Sequence, residues 1–293
     1  MLRSPNTLAE QIVTKCNQYS LEMQIKHHSR PSYFSRSVHT FCLLACVAVL
    51  LVAVPSSAQQ SGASAGAFDV STKKRVVDLG PSPYYRSSSE RRRLSCYFYP
   101  TLLVKTYDEG QKGAEWLSFV RVEEGHPRRC ELAHDPDEHL VDPAEWGGYF
   151  KGVKGDLVFF DAPDGLDGAI SFAAFNANTG KKVFEDSAYY PRIGNRLSPS
   201  NNLRIYAGAG GQVTLRYVRV EATECDLHSE PGKCWEAVRA QFDLKIARAP
   251  VCTGYSKIKD RHSSSIAYPV ETMLFPNPAT KTVSGPVQCR PVD

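Results

Sequence analysis

The amino-acid sequence predicts a mainly β protein: an antiparallel β-sandwich or partly closed barrel with long loops and little helix. Three observations predict it. Short runs rich in valine and aromatic residues are separated by Gly, Asn, Asp and Pro clusters. Residues 235–247 alternate Val238, Ala240, Phe242, Leu244 and Ile246 with Arg239, Gln241, Asp243 and Lys245, the period of two expected of a strand with one face buried. Heptads, long amphipathic helices and βαβ alternation are absent from the sequence.

The N-terminus belongs to a different class of segment. Residues 41–54 read FCLLACVAVLLVAV, follow Lys26, Arg30 and Arg36, and precede Pro55-Ser56-Ser57-Ala58. A basic lead, a short apolar core and a small-residue stop predict a secretory signal peptide over residues 1–58, cut after Ala58, with an extended lead that makes Met23 an alternative start. The run is shorter than the roughly 20 residues needed to span a bilayer, so a membrane is expected only as a partner of the uncleaved segment. Leu43-Leu44-Ala45-Cys46 resembles a lipobox, but most of the apolar core follows the cysteine instead of preceding it.

Residues 59–94 read as a flexible and then irregular arm: small and polar at first, later broken by Pro81, Pro83 and Ser87-Ser88-Ser89. Residues 95–293 are expected to form one disulfide-stabilised β domain. In it, 96–107 and 116–122 make a hairpin across the turn at 108–113, and 140–150 hold one helical turn. Strands at 156–160 and 169–175 flank a loop at 161–168, and Asn178-Thr179-Gly180 turns the chain into 182–185. The strand 235–247 is expected to pair with 212–222. There the apolar phase passes from odd (Val213, Leu215, Tyr217) to even (Val218, Val220, Ala222), which predicts a β-bulge near Tyr217-Val218.

Processing would turn nine cysteines into six: Cys96, Cys130, Cys225, Cys234, Cys252 and Cys289. An even set in an exported chain predicts three disulfides, with sequence neighbours paired as the expected set; the wide spacing argues against a zinc site. Residues 1–58 carry five Lys/Arg and two Asp/Glu of the chain's 35 and 31, leaving a net charge near +1 and no electrostatic footprint for nucleic acid.

Candidate chemistry is spread along the chain. Asp161, Asp164 and Asp167 in a glycine-bearing loop could offer carboxylate oxygens to calcium, or could serve as turn formers. His134 and His139 bracket Asp135, Asp137 and Glu138, a donor set for a transition metal, although Pro136 interrupts any helix that would align them. No cofactor is otherwise expected. Trp146, Tyr149, Tyr189 and Tyr190, with Tyr84-Tyr85 and Phe150, could form an aromatic platform for a glycan or peptide. Gly62-Ala63-Ser64-Ala65-Gly66 matches a hydrolase nucleophile string but lacks the preceding strand. His126, His228 and His262, or a carboxylate pair such as Asp156 and Glu185, show no spacing that builds a catalytic group.

These features favour a secreted or periplasmic, non-catalytic β module that binds a small molecule, glycan or protein or plays a structural part at the envelope. The alternative is an extracytoplasmic hydrolase using carboxylates or a metal.

Overall fold

The structure, a computed structural model, describes residues 68–292 apart from 86–88, 124, 127, 167, 191, 194–195, 198–202, 209–210, 258–262 and 276. Residues 1–58, expected to be a signal peptide, the Gly62–Gly66 string, Asp167 and His262 lie outside the described residues. Among those described, no helix is long and apolar enough to cross a membrane.

The strands of both sheets pair antiparallel, as the short valine- and aromatic-rich runs between turn residues predict. The first sheet is a meander of β1 (Lys73–Pro81), β2 (Arg91–Phe98), β3 (Leu102–Asp108), β4 (Trp116–Arg121) and β5 (His139–Leu140), adjacent in chain order. The chain continues through β6 (Tyr149–Lys154), β7 (Leu157–Leu166), β8 (Ala169–Asn176) and β9 (Lys182–Tyr189). A two-strand ribbon of β10 (Arg192–Ile193) and β11 (Arg196–Leu197) follows, then β12 (Arg204–Ala207) and β13 (Val213–Thr223). The helix α1 (Pro231–Gln241) precedes β14 (Ser264–Met273), β15 (Ala279–Thr282) and β16 (Gln288–Pro291). The second sheet runs β15-β14-β13-β9-β8-β7-β6, with β12 added to β13 and β16 to β14.

The two sheets meet through one face of each. Val158 and Phe160 of β7 and Ala173 and Phe175 of β8 pack with Leu102, Val104, Leu117 and Phe119 of the first sheet. The Phe160 and Phe175 rings lie edge to face, 5.6 Å apart. The alternate residues Leu157, Phe159, Phe172 and Ala174 face the other way, against Trp235, Val238 and Leu244. Burial on both faces explains why Leu157-Val158-Phe159-Phe160 is an unbroken apolar run. Gly180, at φ +71°, closes the β8–β9 turn that Asn178-Thr179-Gly180 predicts, and Asn176 accepts from the Gly180 N–H at 2.9 Å.

The structure departs from several expectations, each for a physical reason. Residues 235–247 do not form a strand. The helix α1 starts at Pro231, where a missing N–H costs nothing, and buries Cys234, Trp235 and Val238 at helical spacing. It ends where Asp243 adopts φ +49°, the left-handed conformation that stops a helix. Leu244 and Ile246 then reach the core from the chain beyond. The apparent period of two thus joins a helix residue, Val238, to a non-helical tail.

The partner of β13 is β14, in one unbroken register from Thr214↔Met273 to Thr223↔Ser264, so no bulge interrupts this ladder. The phase change arises because Val213, Leu215 and Tyr217 face the large core, whereas Val218 and Val220 face a small cluster with Ala169, Tyr189 and Ala267 on the opposite side. β14 tolerates Pro269 because its second edge is covered by β16 only over Ser264–Ala267 and by β15 only over Val270–Met273; the proline falls in the gap. Residues 73–81, expected within an irregular arm, form β1. The loop expected at 161–168 continues β7 to Leu166, with a register shift between Asp161 and Gly165.

Three disulfides join sequence neighbours: Cys96–Cys130, Cys225–Cys234 and Cys252–Cys289. They tie the segment after β4 to β2, the end of β13 to α1, and the segment after α1 to β16.

A left-handed aspartate is costlier than glycine at a helix end. Asp243→Gly is therefore expected to raise stability to urea by about 0.5–1 kcal/mol. A destabilising effect would contradict this helix terminus.

Candidate anion-binding groove on the five-stranded sheet

The outer face of the first sheet follows from strand register. Arg75↔Cys96, Cys96↔Lys105 and Lys105↔Ser118 place these residues in one row; Lys73, Phe98, Leu103 and Val120 make the next. The row holds a lysine and a serine that are both buried, because the segment 130–138 folds over it.

One buried ion pair fixes that segment. Lys105 and Glu138 side chains are 1% and 0% exposed, with Nζ 2.6 Å from Oε2. An ammonium has three donors, and here all three have acceptors: Glu138, the Ala133 carbonyl at 2.9 Å and the Glu131 carbonyl at 3.3 Å. The carboxylate is equally satisfied. It accepts from the Ser118 hydroxyl, from the Asp135 N–H at 3.0 Å and from His134 Nδ1 at 2.9 Å. Because an ionised carboxylate only accepts, Nδ1 is the protonated nitrogen of that imidazole. Burial pushes the Glu138 carboxyl up, but Lys105, Ser118, His134 and the Asp135 amide outweigh it and hold the group below its ordinary 4.5. The Cys96–Cys130 bond anchors the same segment at its middle.

Beside this anchor, between the start of β1 and the tethered segment, lies a groove of about 660 Å³. Thr72, Lys73, Arg75, Phe98, Tyr99, Val122, Arg128, Arg129, Cys130 and Glu131 line it. Four cations thus face one carboxylate. Arg128 is braced by Asp137, by Asp135 at 3.5 Å and by the Arg121 carbonyl at 3.2 Å. The Arg129 side chain is 84% exposed, and its acidic contact among the described residues is a loose one, with Glu131 at 3.8 Å. The Lys73 ammonium sits 5.9 Å from the Phe98 ring centroid, and neither Lys73 nor Arg75 has an acidic partner among the described residues. Phe98, Tyr99 and Val122 supply apolar surface, and burial first, then Asp69, pushes the Tyr99 phenol up to about 12, so it stays neutral. A second hollow of about 450 Å³ shares Arg128, Arg129 and Glu131 and adds His126 and Asp135.

The residues singled out by sequence are distributed differently. Asp161 receives both short contacts of Lys151 Nζ, 2.7 Å to each oxygen, beside the Tyr190 hydroxyl; burial lifts its carboxyl and Lys151 partly offsets the rise. Asp164 is exposed and paired with Lys112. The extension of β7 therefore separates the two aspartates instead of gathering them. His134 serves Glu138 and lies 4.6 Å from the Trp116 ring, whereas His139 packs 5.6 Å from Phe119. No group of three His, Cys, Asp or Glu able to hold a metal exists among the described residues. The carboxylates Asp156 and Glu185 are likewise taken up by Arg121 and Lys182.

The aromatic platform does not assemble. Trp146, Tyr189 and Tyr190 are each buried, in three different clusters, because they are the apolar contacts of the β-layers. Only Tyr149 of the four is exposed, and its hydroxyl accepts from the Gly113 N–H at 2.7 Å.

The groove residues carry a sequence signal of their own: Lys73-Lys74-Arg75 and Arg128-Arg129 are short basic runs, the second abutting Cys130. That they face one another depends on the Cys96–Cys130 link. The chain matches no protein-family model, no curated protein and no solved structure.

Removing one partner of a buried pair leaves the other charge uncompensated. Glu138→Gln is expected to cost about 3–5 kcal/mol in urea denaturation. A depressed carboxyl stabilises the fold above its unfolded value and loses that contribution as pH falls through the folded one. The native protein should thus weaken on acidification below pH 4.5, and the variant should lack that component. Identical acid profiles would contradict the role given to the pair.

Proposed function

We propose that the chain is an exported, non-catalytic β module, secreted or periplasmic, that binds an anionic ligand in the groove beside β1. The observation that carries this reading is the groove's lining: Lys73, Arg75, Arg128 and Arg129 against the single carboxylate of Glu131. Cations that already have internal partners gain little from a ligand. Lys73 and Arg75 lack such partners among the described residues, so a carboxylate, sulfate or phosphate group would supply the missing counter-charge. Pre-positioning supports the same reading, because the ion pair and disulfide that hold the far wall are formed before any ligand arrives.

Three disulfides support maturation in an oxidising compartment, since such bonds persist outside the reducing cytoplasm. The apolar run at 41–54 supports delivery there. The protein isolated from its native source should begin at Gln59 and, when denatured without reductant, expose no thiol to a labelling reagent. A product retaining residues 41–54, or one with six reactive thiols, would overturn the export reading.

Ligand binding is tested with two polyanions, oligoglutamate and a sulfated oligosaccharide, titrated calorimetrically at low and high salt. At least one should bind at low salt and weaken as salt rises, as exposed charge pairs do. The double variant Lys73→Glu/Arg75→Glu should lose about tenfold or more in affinity while keeping the native circular dichroism spectrum. Unchanged affinity in that variant, or no binding of either polyanion, would overturn the groove as a site.

A further inference from the structure

The groove borders a second feature that bears on the shape of its ligand. β1 is the edge of its sheet: it pairs with β2 on one side, and no described strand lies on the other. Nine residues long, it is exposed from Lys73 through Val76, with Val76 half exposed. An uncovered edge presents unpaired backbone N–H and C=O groups, a template for another strand.

Resting on the groove reading above, we propose that the ligand is an extended acidic polypeptide segment that adds to the β1 edge as a strand, with acidic side chains at every second position. Three observations favour a peptide over another polyanion. First, the two cations without an acidic partner among the described residues, Lys73 and Arg75, are two residues apart on one strand and so point to the same face. An added strand repeats that period, and residues opposite one another across a strand pair bring their side chains within about 5 Å. Acids at i and i+2 would therefore meet Lys73 and Arg75 in register. Second, the backbone of β1 can bond an added main chain, which a glycan cannot reproduce. Third, the intervening residues of β1, Lys74 and Val76, lie on the other face, where Lys74 Nζ stands 4.9 Å from the Tyr97 ring. A partner's alternate side chains would there meet an exposed valine, so apolar residues suit those positions. The basic run also protects the edge from indiscriminate pairing, because charged edges resist adhesion of apolar strands and favour those of opposite sign.

The test uses the mature protein and three fluorescent peptides of one composition. The first alternates glutamate with valine, the second groups its glutamates in a block, and the third is the alternating peptide N-methylated on backbone amides. The alternating peptide should bind about tenfold or more tightly than either of the others, and Arg75→Glu should weaken it by a similar factor. Equal binding of all three peptides would overturn strand addition while leaving the cationic groove intact. Tighter binding of the sulfated oligosaccharide than of the alternating peptide would also overturn it. If no polyanion binds, the groove reading fails as well, and the two failures are thereby told apart.

Discussion

The structure depends on one constraint: the inner strands of the larger sheet are apolar on both sides. Leu157 and Phe159 face one way, Val158 and Phe160 the other, and all four are buried. Leaving either face in water would forfeit the hydrophobic contribution of several large side chains, each worth about 1.5–3 kcal/mol. The sheet therefore needs two covers. The five-stranded meander supplies one, and α1 with the segment after it supplies the other. The three disulfides attach the segment after β4, the start of the helical cover and the segment after α1 to neighbouring strands or their ends.

Covering one face of the meander leaves its second face to be dealt with, and the protein does so with polar chemistry. Lys105 lies in a row of outward-facing residues where water would otherwise suffice. The segment that folds over it must bring enough acceptors to replace that water, and it brings three. The same segment carries Arg128 and Arg129 to the groove wall. The buried pair and the exposed cations thus belong to one construction: complete satisfaction inside holds incomplete satisfaction outside. On the other sheet the Asp186 carboxylate is likewise satisfied from several sides, accepting from Arg219 and from the Tyr217 hydroxyl.

Strand chemistry was legible where local signals were sufficient. The β4 and β7–β9 strands follow from runs of valine and aromatics between turn residues, and the tight turn at Asn176–Gly180 follows from backbone preferences. Residues 235–247 misled for a specific reason. Alternation over a few positions is compatible with a helix that ends midway, since Val238 is buried in both readings and only the conformation of Asp243 separates them. The strand 264–273 was missed because Ser264, Ser265, Glu271 and Thr272 dilute its apolar pattern and Pro269 argues against a central strand until its position between the stretches covered by β15 and β16 is known. The aspartate, histidine and aromatic candidates were sound chemistry in sequence, but each found a separate structural partner.

By itself the sequence determined the β class, the six cysteines that follow residue 58, and the positions of the basic runs, because these rest on composition, period and local backbone preference. Only the tertiary structure decided which runs face each other. Lys73 and Arg75 precede Arg128 and Arg129 by more than fifty residues, and they share a groove because strand register and the Cys96–Cys130 link close that distance. Such long-range proximity leaves no trace in local pattern, since loop closure depends weakly on the residues inside the loop and strongly on what its ends can bury or bond.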